Sequence, residues 1–179
     1  MKKEVRRAYN ELGGKLYDLR YSEEQERKFE AFLSQISISR DDLILDLGCG
    51  TGLLLERISG AMGFTVGLDI SEGLLSWARS KLRGTQAALI LSDADYLPFR
   101  LEAFDKVFAI TLLQNLPEPR RALSEAKAVA KPAATIILSG LKKKYSREEF
   151  LALLSSVELR AEEVMDVELK DYLAICRKA

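Results

Sequence analysis

The hydrophobic positions along the chain alternate between short apolar runs and stretches with helical spacing. Phe29, Phe32, Leu33 and Ile36 follow the i, i+3, i+4, i+7 pattern of an amphipathic helix, which we predict over residues 23–37. The short apolar runs predict strands, because strands buried on both faces read as continuous apolar segments. The predicted strands cover residues 43–47, 64–70, 87–91, 104–110, 134–139, 161–169 and 172–177.

Helix signals occupy the gaps between these runs. Ser71 is a favourable N-cap for one helix, and Ser146 with Glu149 predicts a capping box for another. Strands that alternate with helices indicate a parallel sheet covered on both faces. Only Lys170-Asp171 clearly separates the last two strands, a gap that permits a hairpin but no helical crossover. We therefore predict one α/β domain over residues 1–179: a doubly wound, mostly parallel sheet of seven strands with an antiparallel C-terminal hairpin.

Composition narrows the function classes. The 27 Lys and Arg residues balance the 27 Asp and Glu residues, which argues against attraction of the whole protein to nucleic acid or membrane. No stretch approaches the ~20 apolar residues of a membrane span, and no apolar run of a signal peptide follows the basic N-terminus. Two distant cysteines, Cys49 and Cys176, fit a reducing cytoplasm. The absence of histidine excludes a Ser-His-Asp triad and His-based metal sites.

The strongest motif is Leu-Asp-Leu-Gly-Cys-Gly-Thr-Gly at residues 45–52, where a strand enters a glycine turn that opens a helix. Glycine lets the backbone turn sharply and approach a ligand closely. Asp69 ends the second predicted strand, 17 residues beyond Gly52. A carboxylate at this place typically accepts hydrogen bonds from the hydroxyls of a ribose, so the pattern indicates an adenosine-containing ligand.

The glycine spacing distinguishes between such ligands. A dinucleotide site reads G-x-G-x-x-G and presents a helix N-terminus to a pyrophosphate, whereas this loop reads G-x-G-x-G. Asp46 stands two residues before the first glycine, where its charge would repel a pyrophosphate and suit an ammonium or a sulfonium. This disfavours a nicotinamide oxidoreductase and favours S-adenosylmethionine.

Residues 46–52, Asp69 with Ile70, and residues 91–94 resemble the successive cofactor motifs of class I S-adenosylmethionine-dependent methyltransferases. The resemblance covers residues 43 to about 140, and the terminal hairpin is similar to the family's reversed last strand. The cofactor-binding residues that it implies are Asp46, Gly48, Cys49, Gly50, Gly52, Asp69, Ile70, Asp93, Ala94, Thr111 and Leu112.

The resemblance also implies which part of the cofactor each residue meets. The glycines pass beneath the methionyl part, Asp46 orients its amino group and Asp69 binds the ribose. The other implied contacts go to the adenine from Ile70, Asp93 and the backbone of Ala94, and to the reacting methyl group from Thr111 and Leu112. Residues 1–37 form an N-terminal helical segment near this site.

The sequence says less about the acceptor of the methyl group than about the cofactor. The sequence Thr-Leu-Leu-Gln-Asn-Leu-Pro at residues 111–117 lacks the Asn-Pro-Pro run of amine methyltransferases and the His-His pair of many small-molecule members. No long insertion follows the fifth strand, which predicts an open site. Residues 142–144 are three lysines on the ligand-binding face, either phosphate contacts or a solvated loop.

These observations favour a macromolecular acceptor, RNA or protein, with a partner subunit as a further expectation. A small-molecule methyltransferase, covered by Tyr9, Tyr17 and Tyr21, and a catalytically silent cofactor-binding scaffold remain alternatives. If the reaction needs a general base, Asp18 or a tyrosine of the N-terminal segment is the candidate.

Overall fold

A computed structural model describes residues 2–59, 63–166 and 168–178. Met1, residues 60–62, Val167 and Ala179 lie outside the described residues, and with them one position of the strand predicted at 161–169. No helix in the described part of the chain is both long and apolar enough to cross a membrane.

The described residues form one seven-stranded sheet. Its strands are β1 (Ile44–Leu47), β2 (Thr65–Asp69), β3 (Ala87–Leu91), β4 (Phe104–Ala109), β5 (Ala130–Leu141), β6 (Arg160–Met165) and β7 (Asp171–Arg177). The spatial order is β3-β2-β1-β4-β5-β7-β6, with β1 to β5 parallel and β7 antiparallel to both β5 and β6. This confirms the predicted fold class. The strand order reverses between β1 and β4, so a crevice is expected at their carboxyl ends.

Six α-helices accompany the sheet in the described residues. They are α1 (Lys2–Leu12), α2 (Gly14–Leu33), α3 (Leu53–Ser59), α4 (Glu72–Lys81), α5 (Pro119–Val129) and α6 (Arg147–Ser155). The helix predicted over 23–37 therefore begins nine residues earlier and ends four residues earlier. The apolar stripe revealed only the half of α2 that packs on the core, and no residue of α1 is buried.

Strand β5 is longer at both ends than the predicted 134–139. Ala130 already pairs with Phe104, and regular pairing resumes between Thr135 and Lys106. Pro132 lies within this irregular stretch, where a residue without an N–H breaks no ladder hydrogen bond. The proline therefore marks an irregularity inside β5 rather than a boundary before it.

The two faces of the sheet bury separate sets of side chains. Val107 and Ile136 face α5 and α6, while the next residues, Phe108 and Ile137, face α2 and α3. Alternation along each strand explains this division, because successive side chains point to opposite faces. The central strands are therefore buried on both sides, as their continuous apolar sequences predicted.

We expect Gly140→Ala to destabilise the protein by about 1–3 kcal/mol, because it overpacks the core. A Cβ at this position of β5 would lie 2.6 Å from the ring of Phe150, which is fully buried. The measurement is urea unfolding followed by circular dichroism. The double variant Gly140→Ala/Phe150→Leu should recover part of the loss, and equal stability of Gly140→Ala and the unchanged protein would contradict this packing.

Candidate functional site

The main cavity lies at the carboxyl ends of the parallel strands, beside the crossover between β1 and β4. Ten of the eleven predicted cofactor residues contribute to this cavity or to a smaller one beside it. The predicted residues that line the main cavity are Gly48, Gly50, Asp69, Ile70, Asp93, Ala94, Thr111 and Leu112. Three separate sequence motifs thus meet at one edge of the sheet.

The smaller cavity adjoins the main one and shares Tyr17, Gly48 and Ile110 with it. Asp46 and Cys49 line it, together with Gln25 of α2. Gln25 was not predicted as a site residue. Its spacing of four residues before Phe29 and seven before Phe32 puts a polar residue on an apolar helix face, which was the available signal.

The three glycines of the loop all have left-handed backbone, with φ of 74° at Gly48, 52° at Gly50 and 74° at Gly52. Only glycine adopts this region without a steric cost. An added Cβ at Gly52, however, would meet Leu82 at 3.1 Å and Ala78 at 3.2 Å. Gly52 lines neither cavity, so its placement beneath the methionyl part is not supported. It allows α4 to pack closely on the start of α3.

Asp69 joins the two loops of the cavity floor. Its carboxylate accepts hydrogen bonds from Gly50 N at 2.9 Å and from Ser71 N at 2.8 Å. Burial raises the pKa of Asp69, and backbone hydrogen bonds from Ser71, Gly50 and Ile70 act in the opposite direction. Each carboxylate oxygen keeps a lone pair for a further donor.

Asp46 is a buried carboxylate, 4 % exposed. Burial raises the pKa of Asp46 to about 7, and the negative charge of Asp69 adds to the shift. No described residue donates a hydrogen bond to its side chain. Such a group fits a cationic ligand, because a buried carboxylate without a partner is stabilised by an ammonium. The neighbouring Cys49 is an inert thiol, since burial raises its pKa well above the usual value.

Asp93 lies at the far end of the main cavity, beside Ala94. Its Oδ1 accepts a hydrogen bond from Lys2 Nζ at 2.5 Å, and Lys2 also pairs with Asp95. Partial burial alone would raise the pKa of Asp93, but hydrogen bonds from Asp95 N and Lys2 hold it below its usual value. Lys2 was not predicted, because nothing in a basic N-terminal sequence distinguishes one lysine from its neighbours.

Helices α1 and α2 form a roof over the main cavity. Val5 and Tyr9 of α1 and Tyr17 of α2 line it. The rings of Tyr9 and Tyr17 lie 6.0 Å apart, and Tyr17 and Tyr21 lie 4.9 Å apart. Tyr21 does not line the cavity. The predicted tyrosine segment therefore does lie near the site, with two of its three rings facing it.

Thr111 and Leu112, predicted to meet the reacting methyl group, follow β4 and line the main cavity. Thr111 has a φ of 61°, an outlier for a β-branched residue. Asn115 Nδ2 donates to Thr111 O at 3.1 Å and to the Tyr9 hydroxyl at 3.3 Å. Asn115 thus connects this wall of the cavity to the roof, a role that its sequence position did not reveal.

Two of the three lysines that follow β5, and also Asp18, have partners within the protein. Lys142 pairs with Asp166 at 2.6 Å, and Lys144 donates to Gln114 O at 2.7 Å. The carboxylate of Asp18 accepts hydrogen bonds from three residues and lines neither cavity. Its donors are Thr51 Oγ1 at 2.6 Å, Trp77 Nε1 at 2.8 Å and Lys81 Nζ at 3.0 Å. Asp18 therefore holds α2 on the glycine loop rather than serving as a base.

Comparisons with known proteins agree with this geometry. A family model described as a methyltransferase domain matches residues 45–138, a little over half of the chain. The demethylmenaquinone methyltransferase of Lactiplantibacillus plantarum is 36 % identical over 112 residues, which is 59 % of this chain and 47 % of the relative. The chain spans about half the length of the curated relatives it matches.

Two solved structures share the fold at low sequence identity. A chain from the complex between the Haloferax volcanii Trm112 methyltransferase activator and a methyltransferase has a TM-score of 0.80 at 17 % identity, covering 95 % of this chain and 97 % of that one. Magnesium protoporphyrin IX methyltransferase from Synechocystis, with bound S-adenosylmethionine, has a TM-score of 0.73 at 19 % identity, covering 92 % and 83 %.

The match to the family model spans the glycine loop, Asp69, Asp93 and the wall that follows β4, and the same residues converge on the cavity. The chain belongs to the methyltransferase domain family, and it shares the fold of solved methyltransferases, one of which holds bound S-adenosylmethionine.

Proposed function

We propose that this protein transfers the methyl group of S-adenosylmethionine to a small, largely apolar organic acceptor. One observation carries the proposal: α1 and α2 roof the cavity with Val5, Tyr9 and Tyr17, opposite Leu112 and Leu116. Apolar and aromatic walls with a few polar groups are typical of sites for small organic molecules. A long polymer would need an open groove with free cations instead.

The names of two similar proteins support the same class of acceptor. Demethylmenaquinone and magnesium protoporphyrin IX, named for the relative and for one solved structure, are both small organic molecules with extended rings. The flat rings of such acceptors suit contact with Tyr9 and Tyr17, whose own rings meet edge to face, because offset and edge-to-face aromatic contacts are favourable.

A macromolecular acceptor with a partner subunit is the second candidate. The chain from the complex with the Trm112 activator matches almost the full length of this chain, which supports a need for a partner. Against an RNA acceptor, Lys142 and Lys144 are already engaged within the protein. We place this alternative second because the roof narrows access to the cavity.

We propose that the residues implied by the family resemblance, except Gly52, each bind the part of the cofactor that the resemblance assigns to them. Asp69 accepts from the ribose, and Asp93 with Ala94 binds the adenine. Gly48 and Gly50 give the methionyl part space, since an added Cβ at Gly50 would have Leu74, at 3.7 Å, as its nearest contact. Asp46 binds the amino group, which explains why the buried carboxylate has no partner within the protein.

The mechanism then requires little from the protein beyond positioning. The cofactor supplies a methyl group on a sulfonium, which an acceptor atom displaces in line. The chain holds the two reactants together and excludes water, which contributes roughly 7–11 kcal/mol in favourable cases. Burial raises the pKa of both Tyr9 and Tyr17, so neither is a base at neutral pH. The acceptor atom must therefore be nucleophilic by itself or lose its proton to solvent.

We expect Asp69→Asn to weaken the binding of S-adenosylhomocysteine at least about tenfold. The change removes charge-assisted hydrogen bonds to the ribose, each worth roughly 1.5–3 kcal/mol. Isothermal titration calorimetry measures the affinity, with exposed Asp41→Asn as a matched control that should bind normally. If a folded Asp69→Asn protein bound with unchanged affinity, the ribose would have to lie elsewhere.

We expect S-adenosylhomocysteine to bind more weakly as the pH falls below about 7. The pKa of Asp46 in the ligand-free protein is about 7. Protonation removes the charge that attracts the amino group, so affinity should be constant above this pH and fall up to about tenfold per unit below it. Calorimetry across this range provides the measurement. In Asp46→Asn the dependence should disappear, and a variant that kept it would exclude Asp46 as its source.

We expect labelled methyl groups to appear in the organic-extractable small molecules of a cell extract incubated with the protein and S-adenosylmethionine. The extract is separated into RNA, protein and small molecules after reaction. Replacement of residues 142–144 by alanine should leave this labelling unchanged, because two of the lysines have internal partners. Labelled RNA or protein would favour the second candidate, and cofactor binding without any labelling would favour a silent scaffold.

A further inference from the structure

Behind the wall of the main cavity lies a buried ion pair that the proposed mechanism does not use. Lys28 of α2 and Asp171 at the start of β7 are both 0 % exposed. Lys28 Nζ lies 2.5 Å from Asp171 Oδ2 and 3.2 Å from Glu24 Oε1. Lys28 Nζ also donates a hydrogen bond of 3.0 Å to Thr111 Oγ1, whereas both carboxylate oxygens of Asp171 are buried and accept no hydrogen bond from the described residues.

A buried ion pair is weak evidence for a role in stability. Apolar residues of similar volume often replace such a pair without loss, since the cost of desolvation offsets the attraction between the charges. Lys28 also interrupts the apolar face that Phe29 and Phe32 present to the sheet. A contribution to folding stability therefore does not explain why a buried ammonium lies at this position.

The contact with Thr111 explains the position of the ammonium. Thr111 has a strained backbone conformation, and its N–H, its carbonyl oxygen and its hydroxyl all form hydrogen bonds. Its φ of 61° is sterically unfavourable for a β-branched residue. Lys28 and Gln25 both donate to Oγ1, the latter at 3.1 Å. Thr111 N donates to Ser139 Oγ at 2.7 Å, and Thr111 O accepts from Asn115. A strained conformation persists when its surroundings determine it in this way.

The strain has a consequence at the glycine loop. Leu112 follows Thr111 and lies so close to Gly48 that an added Cβ there would be 2.9 Å from Leu112 Cδ1. A shift of Thr111 would therefore move Leu112 against the loop that supports the methionyl part. Lys28 is connected to the place of methyl transfer through two successive residues, without lining the cavity itself.

We propose that Lys28, held by Asp171, is a positioning residue that fixes Thr111 and Leu112 against the reacting methyl group. This inference rests on the proposed location of the methyl group beside these two residues. The measurement that tests the inference is the ratio of the affinities for S-adenosylmethionine and S-adenosylhomocysteine. These two ligands differ only by the methyl group and the positive charge that it creates. A purely structural role would alter folding stability but not this ratio.

The test compares Lys28→Met with the double variant Lys28→Met/Asp171→Leu. Lys28→Met leaves Asp171 buried and unpaired, so its melting temperature should fall, and the double variant should recover most of that loss. Both should bind S-adenosylmethionine at least about fivefold more weakly relative to S-adenosylhomocysteine, as expected for a displaced contact. Lys106→Met, which removes the partner of Asp42 at the opposite end of β4, is the matched control and should keep the ratio.

A double-mutant cycle establishes the route through Thr111. Thr111→Gly relieves the backbone strain and removes the hydroxyl, so it should change the ratio as Lys28→Met does. Adding Lys28→Met to Thr111→Gly should then change the ratio no further, because residues that act through one contact are not additive. Additive effects would overturn the inference, even if Lys28→Met alone were too unstable to measure.

The remaining outcomes separate this inference from the proposed function. If the double variant recovers stability and has the ratio of the unchanged protein, Lys28 serves folding alone and the inference is wrong. If the unchanged protein binds neither S-adenosylmethionine nor S-adenosylhomocysteine, the proposed cofactor site itself fails. If the unchanged protein binds both S-adenosylmethionine and S-adenosylhomocysteine, and the ratio of the two affinities changes in Lys28→Met and in the double variant, the cofactor site and the role of Lys28 are both supported.

Discussion

The carboxylate of Asp69 connects the two loops on which the cavity depends. Gly50 N and Ser71 N donate to its two oxygens, so the loop after β1 and the loop after β2 are fixed to each other. Gly48 N also donates to Leu68 O at 2.7 Å, which ties the same loop to β2. Glycine residues in left-handed backbone lose much conformational entropy on folding, and these bonds offset that cost. The loop after β1 leaves open space for a ligand because its glycines carry no side chains and hydrogen bonds to Asp69 and Leu68 hold its backbone in place.

The same region concentrates negative charge, and no cation among the described residues forms an ion pair with Asp46 or Asp69. Burial raises the pKa of Asp46 to about 7, and the negative charge of Asp69 adds to this shift. A site of this kind repels phosphates and attracts ligands with a positive charge. The arrangement lowers the stability of the ligand-free protein and increases its selectivity, a common compromise at functional sites. It also gives a physical reason for the difference between this loop and a dinucleotide-binding loop.

Much of this architecture was predictable, because the apolar runs of β1 to β5 and the short gap before β7 reflect local constraints on burial and connection. The glycine loop, Asp69 and Asp93 were identifiable for the same reason: each follows a strand at the carboxyl edge of the sheet. The features that the sequence did not reveal have a common cause. The family resemblance implied that Gly52 passes beneath the methionyl part, and it could not show the close approach of Ala78 and Leu82 to this glycine. Contacts between distant segments, such as Lys28 with Thr111 or Lys2 with Asp93, leave no periodic trace in the sequence.

The two roofing helices are held in different ways, and this difference indicates where a ligand enters. Helix α2 is fixed by Lys28 beneath the wall and by Asp18, which accepts from Thr51 and Trp77. Helix α1 has no buried residue and ends just before the left-handed Gly13. One of its polar contacts is the pair between Lys2 and Asp93. On the proposed placement, the adenine amino group and Lys2 both bind Asp93, whose Oδ2 can accept a further hydrogen bond because Lys2 Nζ and Asp95 N both contact Oδ1. Because α1 buries no residue, it is the part of the roof that moves more readily when a ligand enters, while α2 keeps the opposite part in place.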